Sequence, residues 1–265
     1  MQQKKHTNYD LRPDQVWGAY GYAIIESVMP AAKVDAVVDE YENVVKRYDK
    51  PLTRQNHAIE PHRFTEFGGL INTIVQPHCL QPPELQRFST LVLELLADPG
   101  LHDALRVVAG HPSFRLAQTM FFDHTTTSPH QDWVYLDTLP NGYLIAAWIA
   151  LEDIHEDGIR FFVVPGSQNL RPTVGPEDWD EYQAQIEQYT ASSRDGRYGP
   201  SLRKGDVFFW SSRTIHGSHV GPNRQRRRRS VTAHFIPEGF AYGKLGGTHD
   251  FNPATYKGLV YNLFT

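Results

Sequence analysis

Ser128-Pro129-His130-Gln131-Asp132-Trp133 lies between two runs that read as strands, Phe114-Arg-Leu-Ala-Gln-Thr-Met-Phe-Phe122 and Tyr143-Leu-Ile-Ala-Ala-Trp-Ile-Ala-Leu151. In an extended chain, residues i and i+2 project to the same face. His130 and Asp132 can therefore offer one nitrogen and one oxygen to a single metal ion. A further histidine would complete the two-histidine, one-carboxylate facial triad of non-heme Fe(II) oxygenases. The pair alone is unspecific in a chain with 13 histidines, and His155-Glu156-Asp157 repeats it. The second pair belongs to an acidic stretch ending in Gly158, which reads as a solvated loop.

Working outward, Ile159-Arg-Phe-Phe-Val-Val164 is a further strand, stopped by Pro165-Gly166-Ser167, and Asp206–Trp210 and Ser230–Ile236 add two more. Ahead of them the spacing is helical. Val16, Trp17 and Tyr20 follow Pro13; Val34, Val37, Val38, Tyr41, Val44, Val45 and Tyr48 follow Pro30. Leu85, Phe88, Leu91, Val92 and Leu95 follow Pro82-Pro83, and another helix covers Pro99 to Val108. Helices first and short strands after predict a mainly β fold with flanking helices: an antiparallel sandwich or barrel buttressed by N-terminal α-helices. One domain is expected over 1–265, helical to about 110 and β from about 111 to 238. Residues 50–80 read as a loop over a site. The polar insert 168–204, helical around Glu177–Tyr189, reads as a lid, and 239–265 as a C-terminal tail.

Hydrophobic residues make up 40% of the chain and charged ones 21%, with a net charge of −4. That suits a globular core and gives no basic bias towards nucleic acid or an anionic membrane. No apolar run is long enough to span a bilayer, and Met1–His6 is polar. The single cysteine, Cys79, allows no intrachain disulfide and reads as a small buried hydrophobe in a reducing cytoplasm. The expectation is a cytoplasmic monomer or homodimer that acts on a small molecule.

The third ligand should come from a later strand or its edge. Asp206-Val-Phe-Phe-Trp-Ser-Ser-Arg-Thr-Ile-His216-Gly-Ser218 offers a strand, a short polar turn and then a histidine. If the co-substrate is 2-oxoglutarate, its far carboxylate needs a cation, and arginine grips a carboxylate bidentately. Downstream stands Arg224-Gln-Arg-Arg-Arg-Arg229. Arg228 and Ser230 share one face of the strand that follows, while Arg229, Val231 and Ala233 take the other. Arg228 is the first choice, with Arg227 and Arg226 open should the register slip.

His130-Gln-Asp132, Trp148-Ile-Ala-Leu151, Val163-Val-Pro-Gly-Ser167, Gly205-Asp-Val-Phe-Phe209 and His216-Gly-Ser218 together resemble the phytanoyl-CoA dioxygenase family, and they fall in that family's order. The resemblance covers about residues 15 to 236. It implies a double-stranded β-helix, or jelly-roll (cupin-like) barrel, and an Fe(II)- and 2-oxoglutarate-dependent oxygenase. Carried over by position, His130, Asp132 and His216 would hold iron and Arg228 would grip 2-oxoglutarate. Ser218 would contact the co-substrate, and Gln118 would line the pocket.

The expected activity is hydroxylation of an unactivated C–H bond of an amino acid or biosynthetic intermediate. It would consume O2 and give succinate and CO2, with ascorbate stimulating. Asp132, present where halogenating relatives carry Gly or Ala, disfavours halogenation. The alternatives are a 2-oxoglutarate-dependent desaturase or cyclase of secondary metabolism, a cupin-like enzyme without 2-oxoglutarate, and a non-catalytic jelly-roll binding protein. Arg160 departs from the apolar residue many relatives have there and is a candidate for the substrate, as are Trp133 and Tyr135. Trp148 and Trp210 are further aromatic candidates. His124, His219 and His249 compete as ligands on paper.

Overall fold

In the computed structural model, which describes residues 11–55, 57–173 and 176–264, the strand Ser230–Pro237 is the centre of a large sheet. It pairs antiparallel with Phe114–Phe122 on one side and Ile145–Ala150 on the other. Val207–Ser211 and Tyr22–Ile25 continue the sheet beyond Ile145–Ala150; Leu259–Asn262 and Pro253–Tyr256 continue it beyond Phe114–Phe122. Side chains alternate between the faces of a strand. Ile145, Ala147, Ile149, Val207, Phe209, Val231, Ala233 and Phe235 pack against the helices, while Trp148, Trp210, Thr232 and His234 face the opposite way into a cavity. Both faces are covered, and for that reason these strands read as continuous apolar runs rather than alternating ones.

The helical layer consists of α1 (Pro13–Tyr20), α2 (Ala31–Asn43), α3 (Gln86–Leu96) and α4 (Pro99–Ala109). Val34, Val37 and Tyr41 of α2 and Phe88, Val92, Leu95 and Leu96 of α3 are buried in one cluster with the sheet. Each such fully buried side chain contributes about 1.5–3 kcal/mol. The stop and start signals are local: the Asp98 carboxylate accepts the N–H of Gly100 at 2.8 Å, Pro99 opens α4, and Gly110 ends it at φ 72°.

Across the cavity Ile159–Val163 pairs antiparallel with His216–Val220, and Ala241–Lys244 joins Asp137–Leu139 and Gly247–Thr248. The result is the expected jelly roll of two β layers with helices outside one of them. The C-terminal stretch 239–264 contributes strands to both layers. The insert is anchored at α5 (Trp179–Ser192), whose Tyr182 and Ile186 pack against Val134, Phe162, Val164 and Ile215. Residues 50–80 include Leu52–Thr53 paired with Ile59–Glu60, and Ile74–Val75 on the large sheet. The polar start Met1–His6 lies outside the described residues. Among those described, no helix is long and apolar enough to cross a membrane.

Candidate metal centre

His130 and His216 are held side by side by their own backbones. The His130 N–H donates to the His216 carbonyl at 3.0 Å and the reverse bond measures 2.9 Å. The next residue must be small, because a Cβ on Gly217 would sit 3.1 Å from the Thr127 carbonyl oxygen. Each imidazole is fixed through Nδ1, which lies 2.8 Å from the Ser128 carbonyl for His130 and 2.9 Å from the Thr214 carbonyl for His216. A carbonyl can only accept, so Nδ1 carries the proton and Nε2 is left as a lone-pair donor to a metal.

Asp132 opens a short 3-10 turn, Asp132–Val134, after the extended residue Gln131. Its Oδ1 lies 3.5 Å from His130 Nε2 and 3.4 Å from His216 Nε2, and one ligand atom from each residue lies within 4.8 Å of the others. Burial pushes the Asp132 carboxyl up, but His216, His130 and His234 outweigh it and hold it well below the usual range. Burial above all lowers His216, whereas at His130 burial lowers the imidazole but Asp132 outweighs it and raises it in the apo form. An ionised carboxylate and neutral imidazoles are the states a divalent ion needs. Two nitrogens and one oxygen converging from one side fit non-heme iron.

The loop between the ligands is clamped from α5. Tyr182 Oη accepts the Gln131 N–H at 2.9 Å, and Gln183 Nε2 donates to the Pro129 carbonyl at 3.1 Å. The Gln131 side chain donates to the carbonyls of Ser167 and Arg213. None of His124, His155, His219 or His249 joins the triad. His155 is exposed in its acidic turn.

The triad lies on the wall of a cavity of about 1580 Å3 that Gln118, Tyr135, Trp148, Trp210 and Arg228 also line. Arg228 is 1% exposed, and its Nε and Nη2 donate to the Thr125 carbonyl at 3.2 and 2.7 Å. Burial alone lowers its guanidinium to about 10. Its neighbours in the run pair with carboxylates elsewhere: Arg226 with Asp157 at 2.7 Å, Arg227 with Glu42 at 2.9 Å, and Arg229 with Glu42 at 3.0 Å and Glu152 at 2.8 Å. Of Arg226 to Arg229, Arg228 alone faces the cavity.

Four candidates lie elsewhere, because lining residues are chosen by neighbours that sequence spacing does not show. Ser218 is not a lining residue; its Oγ accepts the N–H of Thr127, which is one, at 2.9 Å. Ser230 is fully buried, its hydroxyl without a hydrogen-bond partner, and does not line the cavity. Arg160 is neither a cavity residue nor an outward, solvated one: at 6% exposure its guanidinium donates to the Gly199 carbonyl. Trp133 packs against the cluster around Val134, Phe162 and Tyr182, and its indole N–H donates to Gln131 Oε1 at 3.0 Å. Cys79, expected in the core, is half-buried on the cavity wall. Conversely, His234 and Thr232 line the cavity and were not anticipated. The period of two that selects Arg228 carries through Ser230 to both of them and was the available signal.

A family profile described as Phytanoyl-CoA dioxygenase (PhyH) matches residues 17–231. The peroxisomal phytanoyl-CoA dioxygenase of Homo sapiens is 24% identical over 242 residues, covering 88% of this chain and 70% of that protein. That of Mus musculus is 29% identical over 227 residues, covering 81% and 64%. Among solved structures, the non-heme alpha ketoglutarate dependent carbocyclase SnoK from nogalamycin biosynthesis superposes with a TM-score of 0.64 at 19% identity, covering 89% of this chain and 88% of that one. EctD from S. alaskensis, with 2-oxoglutarate and 5-hydroxyectoine, gives 0.63 at 17%, covering 94% and 86%. These structures share the fold. With the profile spanning most of the chain and the triad formed, the chain belongs to the phytanoyl-CoA dioxygenase (PhyH) family of iron- and 2-oxoglutarate-dependent oxygenases.

Proposed function

We propose that this chain uses Fe(II), 2-oxoglutarate and O2 to hydroxylate a C–H bond of a small molecule, with succinate and CO2 as the other products. The observation that carries the reading is the convergence of His130, Asp132 and His216 on a cavity wall that also holds the buried Arg228 guanidinium. Together the bound metal and co-substrates supply the oxidising power for a C–H bond, chemistry that belongs to them rather than to side chains. The chain's own residues do the rest. His130 and His216 present unprotonated Nε2 atoms, and Asp132 supplies the negative charge. Arg228 grips the far carboxylate of 2-oxoglutarate, and Gln118 and Thr232 also line the wall. Phe161, Trp148 and Trp210 make that part of the cavity apolar and exclude water.

The substrate is read from the space. Ligand pockets usually measure about 300–1,000 Å3, and about 1580 Å3, lined by polar and apolar residues with mostly apolar exposed surface, exceeds what an amino acid beside 2-oxoglutarate needs. A larger, mostly apolar biosynthetic intermediate fits better. Ring closure, the activity named for the carbocyclase neighbour, would use the same ligands.

The test is succinate release from 2-oxoglutarate with Fe(II) and ascorbate across a panel of candidate substrates. Product mass and 18O incorporation from 18O2 separate hydroxylation from ring closure or desaturation. Activity retained in His216→Ala would remove the triad as the metal site, whereas no succinate release with no metal and no co-substrate binding by the purified chain would leave a jelly-roll binding protein instead.

A further inference from the structure

Asp132 has two oxygens, and only one faces His130 and His216. Oδ1 lies 3.5 Å from His130 Nε2 and 3.4 Å from His216 Nε2. Oδ2 accepts the indole N–H of Trp210 at 2.9 Å and has His234 Nε2 at 3.5 Å. Sheet register produces this meeting. Trp210 and His234 are the two cross-strand partners of Ala146, whose methyl leaves room above it, and their rings meet edge to face at 6.1 Å and 83°. A buried indole N–H can only donate, and an ionised carboxylate is its strongest acceptor.

Resting on the metal-site reading above, we propose that Trp210 is a positioning residue that holds Asp132 to one-oxygen coordination by keeping Oδ2 engaged away from the ion. A carboxylate free to turn can offer both oxygens to one metal. The second oxygen would then use up one of the positions that a facial triad leaves open for co-substrate. The Trp210 ring also packs on His216, with centroids 4.9 Å apart. One side chain thus orients two of the three ligands, and His234 supports the same carboxylate oxygen from the strand on the far side of Ile145–Ala150. Groups that orient ligands in this way are typically worth 10–100-fold in metal affinity or activity.

The test uses the full apo chain and Co(II) alone, a redox-stable stand-in for Fe(II). Trp210→Phe keeps the ring bulk and removes the N–H. With Oδ2 free to turn onto the ion, it should change Co(II) affinity about 10-fold or more, and its cobalt visible absorption should shift. A folded variant with wild-type affinity and spectrum overturns the proposal. Wild-type protein that binds no Co(II) overturns the metal reading and this inference together. If Trp210→Phe does not fold, wild-type protein with 15N-labelled tryptophan decides. The Trp210 indole proton should stay hydrogen-bonded and slow to exchange when Zn(II) is added; fast exchange on metal loading overturns the proposal.

Discussion

Arg228 carries a cation into a nearly sealed position against the Thr125 carbonyl and the Phe122 ring, 5.4 Å away, with no carboxylate partner among the described residues. Burial lowers it to about 10, so its charged form costs stability at every pH below that value and the cost fades only as pH rises through it. An anion in the cavity would offset the same cost at neutral pH. Arg228→Met should therefore leave the ligand-free protein within about 1 kcal/mol of wild type, since the gain from removing a buried charge opposes the loss of two donors to the Thr125 carbonyl. The stabilisation by 2-oxoglutarate, about 2.7 kcal/mol at a hundred times Kd, should vanish. Thermal melts with and without 2-oxoglutarate measure both; an undiminished shift in the variant would remove Arg228 from the co-substrate site. This residue was readable from the sequence because a period of two distinguishes Arg228 from Arg227 and Arg229. The hydrogen bond from the Thr127 N–H to the Ser218 hydroxyl was not readable, because the two lie 91 residues apart.

At the scale of elements, the insert holds the metal loop more than it covers the site. Tyr182 and Ile186 of α5 are fully buried, and Tyr182 Oη bonds the backbone between two ligands. Tyr182→Phe leaves the ring packed and the Gln131 N–H without its acceptor in a buried place, a loss of about 1–3 kcal/mol. It should reduce Fe(II) affinity several-fold, read by metal titration of apo protein, with the secondary structure unchanged by circular dichroism. A free lid would instead leave metal affinity untouched and alter only substrate KM. The helix itself was legible from its sequence around Glu177–Tyr189. Its attachment was not, because Tyr182 and Gln131 meet only through tertiary packing. The strands of 239–264 escaped for a related reason: Tyr261 finds its place parallel to Leu116, and nothing in so short a strand announces a partner that distant.

Across the whole molecule, the helical layer and the barrel are joined where the arginine run enters the sheet. Glu42 on α2 takes both Arg227 at 2.9 Å and Arg229 at 3.0 Å, and its neighbour Tyr41 donates to Asp123 at 2.9 Å. Arg228 lies between two arginines anchored to one helix and faces the other way, into the cavity. Burial pushes the Glu42 carboxyl up, but Lys46, Arg229 and Arg227 outweigh it and hold it below its ordinary value. Its contribution to stability is therefore present above the usual carboxylate range and lost as pH falls through the lowered value. Glu42→Ala should cost about 1 kcal/mol at pH 7, modest because the pairs are partly screened by solvent. The difference from wild type should close under acidic conditions, as urea denaturation at several pH values can follow. If the helix aims Arg228 through its neighbours, the same variant should also weaken 2-oxoglutarate binding a few-fold at pH 7. Lost stability with unchanged co-substrate affinity would show that the barrel orients Arg228 without help from the helices.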